Sequence, residues 1–208
     1  MLDNYDVNED GIIFQVNRSP FNYDLEYASN YSQGRYGEVG NYMSYLRLGN
    51  IIGAIQKIPS SILDIGYGSG AFVEVCADTI QDVNGNDITD YPLPDKVKFV
   101  SDIFSRHFEV ITFFDSLEHF DTIDWVKDLN CNYINISLPN CHYKSDEWFD
   151  EWKHRKPNEH LWHFNSESLV RFMSRMGYEC ISLSNVEDVI RKNKPDEDNI
   201  LTGVFKKS

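Results

Sequence analysis

Three glycines at alternate positions, Gly66, Gly68 and Gly70, close the run Asp64-Ile65-Gly66-Tyr67-Gly68-Ser69-Gly70. The apolar run Ile62-Leu63-Asp64-Ile65 reads as a strand leading into it, and a helix is predicted from Ser69 to about Thr79. Glycines spaced in this way let the chain turn sharply and let a ligand approach the backbone with no Cβ in its path. Asp87 stands 17 residues past Gly70, at the end of a weaker predicted strand, Val83-Asn84-Gly85-Asn86-Asp87. A carboxylate there can accept both hydroxyls of a ribose. Each feature alone has an ordinary reading, as a tight strand-to-helix turn or as one acid among many. Together, at this separation, they describe a nucleotide-type site.

The spacing discriminates among ligands. Dinucleotide sites carry G-x-G-x-x-G, with helix amides receiving a pyrophosphate. Here the pattern is G-x-G-x-G, with Asp64 two places before its first glycine. An acid there repels pyrophosphate and suits a cation. S-adenosylmethionine carries a sulfonium and an α-ammonium, so the residues favour it as cofactor.

Methyl transfer from such a donor is an in-line displacement at an already activated carbon. A protein assists mainly by aligning the acceptor and excluding water. A hydroxyl acceptor must also lose a proton, work suited to histidine near neutral pH. Asp115-Ser116-Leu117-Glu118-His119 follows a predicted strand and makes His119 the first candidate base; its ordinary reading is a helix-start residue beside Glu118. His160 and His163, three apart ahead of a capped helix, are candidates for the same work or for holding the acceptor, or else a structural pair. A metal site built from these histidines with Cys141 and His142 lacks a carboxylate, and no metal is expected. Trp148, Trp152 and Trp162 suit a pocket wall or loop packing equally. Tyr31 and Arg35 are candidates to close over the methionine end, Arg35 by a bidentate grip on its carboxylate, or are surface residues.

Elements with two periodicities must position these groups. Tyr23, Tyr27 and Tyr31 recur at helical spacing to about Ser32, and a second helix is predicted from Glu38 to Lys57, stopped before Pro59. Before them, residues 1 to 22 are polar and turn-rich except for a short strand within Gly11–Val16. After Pro59 come short apolar runs: Ile62–Ile65, Val83–Asp87, Val97–Val100, Val110–Phe114 and Tyr133–Leu138. Ser145 starts a predicted helix bearing Trp148, Phe149 and Trp152. Asn165 caps the best-marked helix, which Gly177 ends, with Phe164 and Leu169 as its staple. Tyr178–Leu183 and Asn199–Lys206 read as two closing strands, possible partners in a hairpin. Strands alternating with helices imply an α/β sandwich with a mostly parallel sheet. One link is short: only Thr89–Lys96, with Pro92 and Pro94, joins the second and third strands, so either its helix is reduced to a turn or one strand is misplaced.

On these motifs the chain resembles the class I S-adenosylmethionine-dependent methyltransferases, particularly their small-molecule branch, over roughly residues 23 to 208. Leu63–Gly70 resembles the first motif of that family, Asp87 its second-strand acid, and Asp115–His119 its fourth motif. The segment His160–Phe164 with the helix to Gly177 is similar to its C-terminal region. The resemblance implies a Rossmann-like fold whose seven-stranded, mostly parallel sheet has an antiparallel last strand. It implies cofactor contacts from Asp64, Gly66, Tyr67, Gly68, Gly70, Asp87, Ile88, Asp115 and Ser116, and adenine contact from Asp102. The short crossover before Val97 departs from the family pattern. The expected organisation is one domain, an N-terminal helical cap over 1–58 and a core over 59–208 with a loop or lid insertion at about 139–164.

Composition narrows the acceptor. With 33 acidic and 19 basic residues the formal charge is −14, a surface that repels phosphate backbones. Nucleic acid is therefore disfavoured and a small-molecule or glycan-precursor acceptor, methylated at oxygen or nitrogen, is expected. No run of apolar residues suits a signal peptide or a membrane span, and the four cysteines have no CxxC spacing, so a soluble cytoplasmic protein with free thiols is expected. No Asp-Pro-Pro-Tyr follows the fourth strand, and Cys141 follows the fifth, so amino- and cytosine-methylating DNA enzymes are poor matches. Three other readings stay open: a protein or RNA methyltransferase working with a partner, a cofactor-binding module without chemistry, and a nicotinamide oxidoreductase.

Overall fold

The computed structural model describes residues 3–23, 38–89, 91–191 and 198–208. Beyond Tyr23 itself, the helix predicted to Ser32 lies outside these residues, as do Tyr31 and Arg35.

The chain opens with β1 (Tyr5–Val7) and β2 (Ile13–Gln15), paired antiparallel. β8 (Trp162–His163) joins the other edge of β2 to make a three-stranded sheet. The segment 1–58 thus carries a strand pair as well as helix α1 (Glu38–Ile55), and the long stretch before Phe164 is tied back to it. β1 falls where no strand is predicted.

The main sheet contains β3 (Ser61–Ile65), β4 (Asp82–Asn86), β5 (Lys98–Phe99), β6 (Phe108–Phe114), β7 (Cys131–Pro139), β9 (Tyr178–Ser184) and β10 (Ile200–Lys207). Their order is β5-β4-β3-β6-β7-β10-β9. The first five run parallel, and β10 inserts antiparallel between β7 and β9. This is the seven-stranded methyltransferase sandwich implied by the resemblance.

The burial pattern explains the order. Every residue of β3 and β6 is buried, as central parallel strands covered on both faces require, whereas edge strand β9 alternates after Tyr178 between exposed and half-buried positions. Ile62, Val83, Val110 and Val204 point to the face covered by α1 and α2 (Ala71–Ala77), where Leu48, Ile51, Phe72 and Val75 pack. Their neighbours Leu63, Ile111, Phe113 and Ile134 point to the opposite face. Leu169, Phe172 and Met173 of α4 (Ser166–Arg175) cover them. Asn165 and Ser168 form a reciprocal capping box at the start of that helix, and Gly177 leaves it with φ 88°. Helix α3 (Asp146–Glu151) is short, and the Ser145 side chain accepts the Trp148 amide at its start.

The short link before β5 is a turn, without a helix among its described residues. Val97 donates to the Pro94 carbonyl at 2.9 Å and Val100 to Gly85 at 2.9 Å, so β5 pairs with β4 at only two positions, Asn84↔Lys98 and Gly85↔Phe99. The third strand is accordingly two residues, inside the four predicted. No helix among the described residues is long and apolar enough to cross a membrane. Cys76, Cys131, Cys141 and Cys180 are free thiols.

Candidate active site

β4 and β6 flank β3 on opposite sides, so the chain order reverses at the carboxyl end of β3, the place where open α/β sheets bind ligands. The glycine loop lies there. Gly66 donates to the Asn86 carbonyl at 2.7 Å, which ties the loop to the end of β4. Gly68 donates its amide to Asp87 Oδ2 at 2.9 Å. Asp87 Oδ1 accepts from the Thr89 amide and hydroxyl, each at 2.9 Å. The loop and the carboxylate therefore meet as expected. Three of the roughly four acceptor sites of the carboxylate are already used, so Asp87 also clamps the loop.

Two glycines are sterically required or permitted in different ways. Gly66 has φ 83°, and a Cβ there would lie 2.6 Å from Ser116 Cβ. Gly68 has φ 53°, and its Cβ would meet nothing within 4 Å among the described residues. The space above Gly68 belongs to a cleft lined by Met43, Ser44 and Arg47 of α1, by Asp64 and the loop, and by Phe114. Tyr67 lies back over Gly85 and donates its hydroxyl to the Tyr91 carbonyl at 2.5 Å. Gly70 is the N-terminal cap of α2 and backs onto Pro94. Ser116 donates to the Ile65 carbonyl at 2.7 Å and buttresses the loop from β6.

Asp64 is buried in the wall of this cleft. Thr112, its register partner on β6, donates its hydroxyl to Asp64 Oδ1 at 2.7 Å. Burial raises its carboxyl to about 7, against the Thr112 bond and the positive field of Arg47. The wall thus holds an acid that lacks a full counter-charge.

Arg47, in the cleft lining, belongs to a four-membered ion network. Arg47 grips Glu187 with Nε at 2.7 Å and Nη2 at 3.0 Å, and Nη2 also reaches Asp115 at 3.4 Å. Arg191 donates to both Asp115 oxygens, at 2.9 and 2.7 Å, and to Glu187 at 3.1 Å. Glu187 is fully buried, yet the two arginines hold its carboxyl below the usual range. Asp115, in the left-handed region at φ 51°, is thereby held by two guanidiniums. Sequence reasoning missed Arg47, Glu187 and Arg191. One signal was present: Met43, Arg47 and Ile51 share a stripe at i, i+4 and i+8, which places a cation on the apolar side of a helix.

Past Ser116 a single 3-10 turn, Leu117–His119, carries Glu118 and His119. His119 Nδ1 meets the Tyr23 hydroxyl at 2.9 Å, and its ring sits 4.7 Å edge-on from that of His160. Burial lowers His119 to about 4 and His160 to about 2, so both imidazoles are neutral at pH 7. Glu118 is buried, and neither of its carboxyl oxygens has a hydrogen-bond partner among the described residues. Glu118, His119 and His160 each offer a ligand atom within 4.8 Å of the others, the group among the described residues with metal-site geometry.

His163 is not part of this group. It stands in an aromatic cage of Tyr5, Phe149 and Trp152, with ring centroids at 5.7, 5.0 and 5.7 Å. Cys141 is buried in the same small core, and His142 meets the Asp198 carbonyl at 2.6 Å. Trp148 and Trp152 stack on one another, and Trp162 stacks on Phe14. Ile88 is 75% exposed, and Asp102, also exposed, caps a turn by accepting from the Phe104 amide at 3.0 Å. The fold thus gathers Asp64, Gly66, Tyr67, Gly68, Asp87 and Ser116 at the loop, and His119 with His160 beyond it.

A family model described as a methyltransferase domain matches residues 42–183. No curated protein sequence matches the chain. Among solved structures, magnesium protoporphyrin IX methyltransferase from Synechocystis, with bound S-adenosylhomocysteine, superposes with a TM-score of 0.63 at 11% identity, covering 89% of this chain and 96% of that one. An S-adenosylmethionine-dependent methyltransferase from Clostridium acetobutylicum gives 0.60 at 12% identity, with 88% and 98% covered. The 1,6-didemethyltoxoflavin-N1-methyltransferase of Burkholderia thailandensis, with bound 1,6-didemethyltoxoflavin and S-adenosylhomocysteine, gives 0.57 at 14% identity over 99% of both chains.

Proposed function

The chain belongs to this methyltransferase family, whose methyl donor is S-adenosylmethionine, and from that premise we propose that its acceptor is a small molecule or glycan precursor methylated at oxygen or nitrogen. Two of the similar structures carry names of enzymes acting on small molecules, magnesium protoporphyrin IX and 1,6-didemethyltoxoflavin. The formal charge of −14 argues the same way, against a polyphosphate acceptor.

The cleft fits the donor. Its methionine end is a zwitterion, and Arg47 and Asp64 both line the wall beside the open space over Gly68. Hydrogen bonds to Glu187 and Asp115 engage Nε and Nη2 of Arg47, which leaves Nη1 for a carboxylate, the role that Arg35 was expected to fill. Asp64 is suited to the ammonium, and Asp87, holding the loop, to a ribose hydroxyl with its remaining acceptor site. When bound, the donor supplies a methyl on a positively charged sulfur, open to displacement by one lone pair.

The observation that carries the acceptor reading is the position of His119. It follows three residues after Ser116, whose side chain supports the loop, and its neutral ring is fixed at Nδ1 by Tyr23. A ring so held can orient an acceptor and accept a proton from it at Nε2, with His160 alongside.

S-adenosylhomocysteine is expected to raise the melting temperature, and Asp87→Ala to weaken that response by releasing the Gly68 amide. His119→Ala is expected to keep the response and to lower transfer of labelled methyl to a panel of hydroxyl and amine acceptors. Label appearing only in RNA or protein fractions would overturn the small-molecule reading.

A further inference from the structure

Glu118 poses a physical problem that methyl transfer alone does not solve. A carboxyl group 1% exposed, with both oxygens lacking a hydrogen-bond partner among the described residues, bears the desolvation cost of a polar group. A buried carboxyl in a folded protein is paired, holds a metal or stays neutral, and burial raises that of Glu118. Two imidazoles stand beside it: His119 Nε2 is 3.9 Å from Glu118 Oε1, and the ring of His160 lies against that of His119.

We propose that Glu118, His119 and His160 bind one divalent first-row transition-metal ion at the acceptor end of the cleft. Three atoms within 4.8 Å of one another surround a point about 2.8 Å from each at most, so contractions of about 0.7 Å bring all three to coordination distance of about 2.1 Å. Two imidazoles with one carboxylate is a ligand set for zinc or for open-sided iron and manganese sites, whereas calcium and magnesium favour oxygen alone. Tyr23 bonds His119 Nδ1 at 2.9 Å and so directs Nε2 at the Glu118 carboxylate, the usual outer contact of a ligating histidine. Three protein ligands leave a coordination position for water or an acceptor oxygen. Coordination engages the lone pair of His119 Nε2, so the proton-accepting role proposed above belongs to the metal-free protein; the use of the ion rests on the acceptor position proposed there, its binding does not.

The test is calorimetric titration of Zn2+ into chelator-treated full-length protein, with Co2+ absorption as a second readout. The expected result is one saturable equivalent, weakened at least 100-fold by Glu118→Gln and by His160→Asn and about 10-fold by Tyr23→Phe. His142→Asn, outside the group, is expected to leave it unchanged. Glu118→Gln is expected to retain its melting response to S-adenosylhomocysteine; loss of that response in the wild type would overturn the donor reading instead. Absence of saturable binding, or binding indifferent to both ligand substitutions, would overturn the metal site. Should the variants fail to fold, a Co2+ spectrum of the wild type identical to that of the aqueous ion would do so equally.

Discussion

Asp64 makes affinity for the cofactor product depend on pH in a calculable way. In the free protein its carboxyl titrates at about 7, because burial outweighs the Thr112 bond and the field of Arg47. If the α-ammonium of S-adenosylhomocysteine binds only the ionised form, the apparent dissociation constant carries a factor of one plus ten to the power of seven minus the pH. That factor is about 30 at pH 5.5 and close to one at pH 8, so affinity should rise about 30-fold over this interval, about 2 kcal/mol. About 0.9 proton should leave the complex at pH 6, and about 0.1 at pH 8. Isothermal titration in buffers of different ionisation enthalpy measures both quantities. The free fold shows the opposite sign. A carboxyl raised from 3.8 to about 7 stabilises the native state most at low pH and loses that contribution as pH climbs through 7. The ligand-induced rise in melting temperature should therefore widen across the same interval. Asp64→Asn should flatten the pH dependence and bind weakly throughout. A dissociation constant unchanged between pH 5.5 and 8, or proton uptake on binding, would refute the assignment of Asp64 to the ammonium.

Two further substitutions separate the loop from its support. Gly68→Ala costs the fold only about 1–2 kcal/mol for its left-handed backbone, since no atom of the described residues lies within 4 Å, yet its methyl enters the cleft and should lower S-adenosylhomocysteine affinity more than about tenfold. Gly66→Ala drives a Cβ to 2.6 Å from Ser116 and should lower melting temperature and affinity together; wild-type affinity in Gly68→Ala would show that the ligand lies elsewhere. Glu187→Gln removes the partner that Arg47 grips with two nitrogens, leaving a buried guanidinium short of charge. Calorimetry should show a loss of about 3–5 kcal/mol, and a change under about 1 kcal/mol would mean that Asp115 alone balances both arginines.

Sequence alone determined the features encoded in neighbouring residues. The alternate glycines between an apolar run and a helix, the continuous apolar run at Val110–Phe114, and the cap and stop of the helix after Asn165 each state a local backbone requirement, and each appears in the fold. The seven strands and the antiparallel last one followed from the family resemblance, and Asp87 met the loop because parallel strands in register end side by side. Tertiary structure decided the pairings between segments that local spacing does not relate. Arg47 finds Glu187 at a separation of 140 residues, and β1, only three residues long, is a strand because β2 and β8 complete its small sheet. Glu118 was legible as an acid beside a histidine, but its loss of water and its approach to His160 were not. Periodicity records which face of one element is buried; which charges meet there depends on how separate elements close on each other.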